Sequence, residues 1–356
     1  MNAPFASLAP CVRTASLDDR HESARIRAFV DAHPDGTPFH LPPWSRAIAA
    51  GCGQAAQYLV AERAGALVGV LPLTEVHSPL FGRALVSSGF AVEGGILADS
   101  DAAARVLETE AWLLAQRLAC STLELRGGQV HGSGWQVDAE HYCYFARPIA
   151  ADDDAELRAI PRRQRAEVRR SFTFDLGVTI GSGATDRAAH YAVYAQSVRN
   201  LGSPVFPRAL FDAVLHEFGG DVDILTVWKD GVPLASTLSL YWRGAMYPYW
   251  GGGTRDARTW RANDRMYFAM IRHGFARGCT RFDLGRSKVG TGAAAFKKNF
   301  GFPARPLVYF KKSAAGTAPR EINPLDPRFS LGVALWQRLP LAVANRVGPL
   351  IARGLG

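Results

Sequence analysis

Residues 282–302 read FDLGRSKVGTGAAAFKKNFGF. The run begins as a short strand (Arg281–Leu284), opens into a loop with Gly285, Gly290 and Gly292, and continues as a helix. That helix carries Lys297 and Lys298 and stops at Gly301. A strand feeding a basic, glycine-rich loop is where α/β folds keep their chemistry, because loops at strand ends present N–H groups and side chains to a ligand. The same residues also suit a plain connection, with glycines for turning and lysines for solvation.

Working outward from this stretch, the patterns repeat. Ala188–Arg199 and Pro207–Phe218 read as two helices, the second with proline in its first turn. Asp223–Trp228, the turn Asp230-Gly231 and Pro233–Tyr241 form a hairpin. A second turn at Arg243-Gly244 leads into Ala245–Trp250. The loop Gly251–Asn263, the helix Asp264–Arg277 and the strand Arg281–Leu284 follow. The first half has the same order: helix Leu17–Ala32, the segment PFHLPPW (Pro38–Trp44) opening a short helix, strands Gln57–Glu62 and Ala66–Val76 about Ala64-Gly65, and strand Ala84–Ser88. A long helix Asp101–Ala119, a strand Thr122–Leu125 and the pair Gly127-Gly128 complete it. YLVAERAGALVGVLPL is similar to ILTVWKDGVPLASTLSL, and LACSTLELRGG to RGCTRFDLGRS. A period this long means duplicated domains rather than a solenoid.

The 356 residues suit two domains, and 48% hydrophobic with 21% charged residues fits a globular chain. A net charge of +9 and a sequence pI near 9.5 favour an anionic partner: a phosphate-bearing cofactor, RNA or an acidic membrane. The cysteines Cys11, Cys52, Cys120, Cys143 and Cys279 are scattered, without CxxC or metal-like pairing with histidine. They read as reduced thiols of a cytoplasmic protein, and no metal site is expected. MNAPFASLAPCVRTAS lacks the build of a signal peptide, and no apolar run is long enough to span a membrane.

The order helix pair, antiparallel meander, helix, strand, helix is that of the GNAT acyltransferase fold. With PFHLPPW, PRRQRAEVRRS (Pro161–Ser171), YPYWGGG (Tyr247–Gly253), FDLGRSKVGTGAAAFKKNFGF and WQRLPLAVANRVGP, the chain resembles the FemAB family. It is most similar to the FemAB-like group associated with exosortase/PEP-CTERM systems, which carries a BioF2-like acetyltransferase domain. The resemblance implies an α/β (α+β) chain of two tandem GNAT-like (acyl-CoA N-acyltransferase) domains, each a mixed, mostly antiparallel sheet flanked by helices. The expected division is 1–150, a basic interdomain helix 151–171, a second and active domain 172–312, and a C-terminal segment 313–356. The resemblance also implies transfer of an acyl or aminoacyl group from aminoacyl-tRNA or acyl-CoA to an amine on a small-molecule, peptide or amino-sugar acceptor, in envelope or exopolysaccharide metabolism. No tightly bound cofactor and no DNA partner are expected.

The chain departs from the CoA-dependent pattern R/Q-x-x-G-x-G/A, whose N–H groups hold a pyrophosphate. Its second half reads TRDARTWRAND (Thr254–Asp264), with Arg255, Arg258 and Arg261 but no glycine. FAVEGGILADSDAAA, the first-half equivalent, has glycines and no arginine. The arginines either bind phosphate by bidentate contacts or form a solvated loop. Arg162, Arg165 and Arg169 fall on one helical face, with six arginines within Arg158–Arg170. That face suits tRNA phosphates or a pyrophosphate lipid carrier; its alternative is a charged helix paired with acidic surfaces.

Acyl transfer needs a deprotonated amine and a stabilised oxyanion. Asp283, beside the glycine loop, is the candidate base or amine-orienting group, and its alternative is an ion pair with Arg281 or Arg286. Arg286, Lys288 and Lys297 are candidates for oxyanion or phosphate contacts. Tyr247, Tyr249, Trp250, Gly251, Arg258, Arg261 and Asn263 are substrate-binding candidates, with Tyr247 and Tyr249 on one strand face and Trp250 on the other. Those aromatics serve equally as core. His40 and His273 read as structural, so direct attack without a covalent enzyme intermediate is expected. A CoA-dependent N-acetyltransferase and a non-catalytic RNA- or polyanion-binding protein remain the other two readings. After Lys312, SAAGTAPREINPLDP reads as a linker. Phe329–Arg353, interrupted by Pro340, reads as a basic amphipathic segment that docks on the domains or touches the inner membrane surface.

Overall fold

The computed structural model describes residues 9–78, 82–314, 316–317 and 327–356, with side chains of the last segment from 331 onward. The N-terminal octapeptide and most of the expected linker lie outside the described residues. The early strands are β1 (Cys11–Thr14), β2 (Ala55–Arg63), β3 (Ala66–Ser78), β4 (Gly82–Ser87), β5 (Leu97–Ala98), β6 (Thr122–Arg126) and β7 (Gln136–Asp138). They are followed by β8 (Tyr142–Pro148), β9 (Gly177–Gly181), β10 (Val222–Lys229), β11 (Val232–Trp242), β12 (Ala245–Gly253), β13 (Arg281–Lys288), β14 (Ala304–Pro306) and β15 (Tyr309–Ser313). The helices are α1 (Arg20–Ala32), α2 (Pro42–Cys52), α3 (Asp101–Arg117), α4 (Asp153–Ala159), α5 (Arg162–Ser171) and α6 (Ala184–Asn200). Then come α7 (Arg208–Phe218), α8 (Ala262–Ala276), α9 (Gly292–Asn299), α10 (Pro327–Arg338) and α11 (Leu341–Ala352).

Local chemistry sets most of these boundaries. The hairpin turns β2–β3, β10–β11 and β11–β12 place Ala64-Gly65, Asp230-Gly231 and Arg243-Gly244 at paired positive φ, the conformation whose twist suits a two-residue connection. Asp152 caps α4, its carboxylate accepting from Ala155 N at 2.7 Å, and Pro161 restarts the chain as α5. Thr291 caps α9, and Gly301 follows it at φ 86°, where a side chain would press on the Ala159 carbonyl. One boundary differs from expectation. The strand opened at Arg281 continues to Lys288, because Gly285 does not end it but sits at a β-bulge against β8.

Two compact units result, each with a mixed, mostly antiparallel sheet. Unit 1 comprises Met1–Asp138, Val308–Ile322 and Gly354–Gly356; unit 2 comprises Ala139–Leu307 and Asn323–Arg353. The helices over 151–171 therefore fall inside unit 2, and β15 returns from beyond it to the unit 1 sheet.

In unit 1 the sheet order is β1-β2-β3-β4-β6-β15-β7, with β5 on β3. Helix α3 packs Ala103, Leu107, Ala111 and Leu114 against Leu59, Leu71, Leu73 and Leu85. Among the described residues the only parallel pair of this sheet is β4–β6, in register from Ala84–Thr122 to Val86–Glu124. Beyond it the space is filled by the protein itself. Arg126 N donates to Ser87 Oγ at 2.8 Å, and Gly94 N to Arg126 O at 3.1 Å. Arg126 Nη1 donates to Ala91 O at 2.8 Å, Ser88 Oγ to Phe39 O at 2.9 Å, and the Tyr309 hydroxyl to Val92 O at 2.7 Å. His40 Nε2 lies 3.1 Å from Gly95 O, and burial pulls its pKa down to about 4, so it is a neutral structural ring.

In unit 2 the order is β14-β8-β13-β12-β11-β10-β9. Neighbouring residues of β11 show the two faces. Ser236 Oγ meets His190 of α6 at 3.2 Å, whereas Thr237 Oγ1 meets Met266 of α8 at 3.2 Å. The core on the α8 side includes Leu225, Val227, Met246, Met270, Ile271, Phe282, Leu284 and Phe302. His273 anchors the C-terminal end of α8 on buried Asp223, Nε2 to Oδ2 at 2.8 Å, and the Tyr241 hydroxyl donates to Asp223 Oδ1 at 2.7 Å.

Candidate active site

The parallel pair of unit 2 is short. β12 and β13 match only at Ala245–Arg281 and Met246–Phe282 and are unpaired thereafter. Past Phe282 the β13 edge on that side has no strand partner, so its polar backbone groups need another one. Lys297 of α9 supplies it. Its Nζ donates to Leu284 O at 2.6 Å and to Arg286 O at 2.9 Å, while its stem lies near the Phe145 ring, with Nζ 5.4 Å from the centroid. Two of three ammonium N–H groups are thereby used. Burial lowers the Lys297 pKa to about 8, against the opposing pull of Asp283.

On the other face of β13 lies Asp283, 2% exposed. It accepts from the Tyr144 hydroxyl, from Arg281 Nη2 at 2.6 Å and from Gly285 N at 3.0 Å. Arg281 also donates to the Tyr144 hydroxyl. Desolvation raises the Asp283 pKa, and these three donors resist the rise. Asp283 is thus both ion-paired with Arg281, as one of its two sequence readings had it, and a carboxylate that holds a proton more readily than an exposed one.

Arg286 and Lys288 lie beside Tyr142 of β8, Arg286 Cζ 4.9 Å and Lys288 Nζ 5.8 Å from its ring centroid. The β8 register sets Tyr144 opposite Arg286 and Tyr142 opposite Lys288, so these four share a face with Asp283 and Arg281. Tyr247 is buried on this face too, because its neighbour Met246 packs in the opposite core. The expected alternation fails one step later. A bulge between Leu238 and Ser239 leaves Tyr249 without a register partner, which brings Trp250 to the Tyr247 face. There Trp250 stacks edge-on with Phe211 at 5.4 Å and Phe206 at 6.5 Å. Tyr249 meets Trp250 edge-on at 4.7 Å.

The remaining candidates sit elsewhere. Gly251, Gly252 and Gly253 serve close packing: a Cβ on each would strike Thr237, Ser197 and Asn263 respectively. Asn263 is thereby placed against the end of β12. Arg258 is exposed. Arg261, at φ 56°, caps the start of α8 and is held by Glu167 and by the Arg258 carbonyl. Asp264 follows, 8% exposed, bonded to Gln164 Nε2, with its pKa raised to about 6 by burial and then by Glu167. Two acidic groups therefore occupy the surroundings of the α8 N-terminus, where a diphosphate would otherwise find bare N–H groups. Helix α5 packs against α8 through Val168 and leaves Arg162 and Arg169 exposed and Arg165 half-buried. None of the three forms an ion pair among the described residues.

Sequence reasoning missed Tyr144, Glu167, Gln164 and Asp264. Tyr144 lies 139 residues before Asp283, and nothing local announces that β8 pairs with β13.

Comparison with known proteins agrees with this geometry. Residues 155–298 match the family described as Acetyltransferase (GNAT) domain. No curated protein matches the sequence. Among solved structures, FemX superposes with a TM-score of 0.65 at 16% identity, over 85% of this chain and 97% of that one. A tandem GNAT protein from the clavulanic acid biosynthesis pathway gives 0.57 at 12% identity, over 87% and 100%. L-PGS from Bacillus licheniformis gives 0.55 at 13% identity, over 90% and 98%. The chain thus has the tandem GNAT fold, and its acetyltransferase (GNAT) match lies in the unit whose central strands diverge.

Proposed function

We propose that unit 2 transfers an activated aminoacyl or acyl group to an amine. The observation that carries this reading is the divergence of β12 from β13 beyond Met246 and Phe282, with Lys297 and Asp283 reaching the opened edge from opposite faces. The third N–H of the Lys297 ammonium meets the donor's carbonyl oxygen and stabilises the oxyanion as charge develops. The acceptor amine attacks the carbonyl carbon, the C–N bond forms, and the ester C–O or thioester C–S bond breaks. Asp283 takes the amine's proton, through the Tyr144 hydroxyl where the amine does not reach it. The proton required by the leaving oxygen or sulfur returns from the same pair.

We favour aminoacyl-tRNA over acyl-CoA as the donor. The α8 N-terminus is crowded by Asp264 and Glu167, which disfavours a diphosphate there, whereas the exposed arginines of α5 suit a longer polyanion. The resemblance to the FemAB family favours an envelope peptide or amino sugar as acceptor.

Binding and single-turnover transfer with charged tRNA, deacylated tRNA and acetyl-CoA, at low and high salt, test the proposal. Preference for charged tRNA, with transfer to an amine, is the expected result. Tight acetyl-CoA binding with indiscriminate tRNA binding assigns the donor to acyl-CoA. Polyanion binding without transfer from any donor sinks the enzymatic reading.

A further inference from the structure

The C-terminal helices have one side fixed to the protein and another left bare. Helix α11 packs against α6 and buries Ala344, Gly348 and Ala352, and a Cβ on Gly348 would lie 3.0 Å from Val205 N, in the segment after α6. Helix α10 is held by Val333, which fills the space over Gly202, and by Arg199 Nη1 donating to Gln337 O at 2.9 Å. The sides turned away carry Leu331 (71% exposed), Leu335 (57%), Val343, Val347 and Leu350 (61%). On α11 the spacing 343, 347, 350 makes one stripe, and on α10 the pair 331, 335 makes another.

The charge around these stripes has a single sign. Residues 327–356 contain Arg328, Arg338, Arg346 and Arg353 and no Asp, Glu, Lys or His. Arg338, Arg346 and Arg353 are exposed, and Arg346 of α11 and Arg353 at its C-cap lie roughly 70–90° round the helix from the centre of its stripe. Each helix has 12 residues, too short to cross a bilayer, and no helix among the described residues is long and apolar enough to do so.

We propose that α10 and α11 dock this face in the headgroup region of an anionic lipid bilayer, lying in its plane. Leucine and valine would enter the acyl boundary while the arginines meet lipid phosphates, the arrangement of an interfacial amphipathic helix. A second copy of the chain fits less well, because a self-complementary contact would bring the same arginines together with no acid between them. The net charge of +9 favours the same partner. This inference is independent of the transfer reaction.

The test is flotation of the full chain with vesicles of phosphatidylcholine alone or mixed with phosphatidylglycerol, alongside light scattering of the free protein. Flotation only with phosphatidylglycerol, reduced by salt, is expected. Leu335→Ser with Leu350→Ser should weaken partitioning about 10-fold or more. Arg338→Gln with Arg346→Gln should flatten its salt dependence. Both variants are surface changes, and an unchanged thermal melt verifies folding. Absence of flotation, flotation indifferent to both variants, or a dimer broken by the leucine changes would overturn the proposal.

Discussion

The two units build the same parallel strand pair and use the space beyond it differently. In unit 1, β4 and β6 stay in register for three residue pairs, and the polypeptide then fills its own cleft. Ser87, Ser88, Arg126 and Tyr309 hydrogen-bond residues of that filling segment or each other, so a ligand would have to replace several buried bonds. Each bond left unmade would cost about 1–3 kcal/mol. In unit 2 the pairing ends after two residue pairs, and one lysine side chain holds the exposed carbonyls. A duplicated fold can therefore fill this space with backbone in one copy and with a single side chain in the other. The decisive difference is what satisfies the backbone where the strands part.

Exchanging substitutions between the two clefts would break this comparison most directly. Lys297→Met should lower turnover about 10²–10³-fold, the range for removing one oxyanion donor, with a modest change in melting temperature. Arg126→Ala, its opposite number in unit 1, should cost about 3–5 kcal/mol of stability, since it abandons Glu124 and the Ala91 carbonyl, and leave turnover per folded molecule unaltered. Equal kinetic damage from both would mean that the clefts do not differ in the way described.

A pH profile sharpens the unit 2 side. The Lys297 amine loses its proton near pH 8 rather than near its ordinary value, so the cationic donor disappears as pH rises through about 8. Rates limited by the proposed acyl transfer should fall along that limb in the unaltered protein. Lys297→Arg, whose charge persists, should lack the limb whatever its absolute rate. A limb retained in the arginine variant would assign it to another group.

The smallest effect is on stability. Asp264 holds its proton to about pH 6 when folded and to its ordinary lower value when unfolded. Between these the folded chain binds more protons, so this residue's contribution declines as pH rises from about 4 to 6 and stays low above that. Asp264→Asn should remove the penalty, raising stability at pH 7 by about 1–3 kcal/mol in denaturant melts and flattening the acid-side dependence. A destabilised variant would show that the carboxylate's bond to Gln164 outweighs its burial.

The sequence made the local features legible and left the distant ones hidden. Ala64-Gly65, Asp230-Gly231 and Arg243-Gly244 announce their turns, because two-residue hairpins demand positive φ and these residues tolerate it. Pro161 announces a restart, and Gly301 a stop. The bulge at Tyr249 was not legible, since an extra residue shifts alternation without changing composition. Asp283 and Lys297 stood out as charges beside glycines. Their partners Tyr144, Leu284 O and Arg286 O became visible only once β8 was seen on one side of β13 and the departure of β12 on the other. The compact units meet at Asp138 and Ala139 for the same reason: strand pairing at long range sets that boundary, and composition does not reveal it.

The return of β15 to unit 1 bears on the order in which the chain acquires its shape during synthesis. Within the unit 1 sheet, β7 is joined to β6 only through β15. A ribosome that has issued residues 1–138 has therefore delivered a sheet whose last two neighbours cannot yet meet. The sheet of unit 2 has all its strands once Pro306 has emerged, before Tyr309–Ser313 can close the earlier one. Nascent chains of this protein should thus complete their second sheet first, inverting the usual N-to-C order of domain maturation.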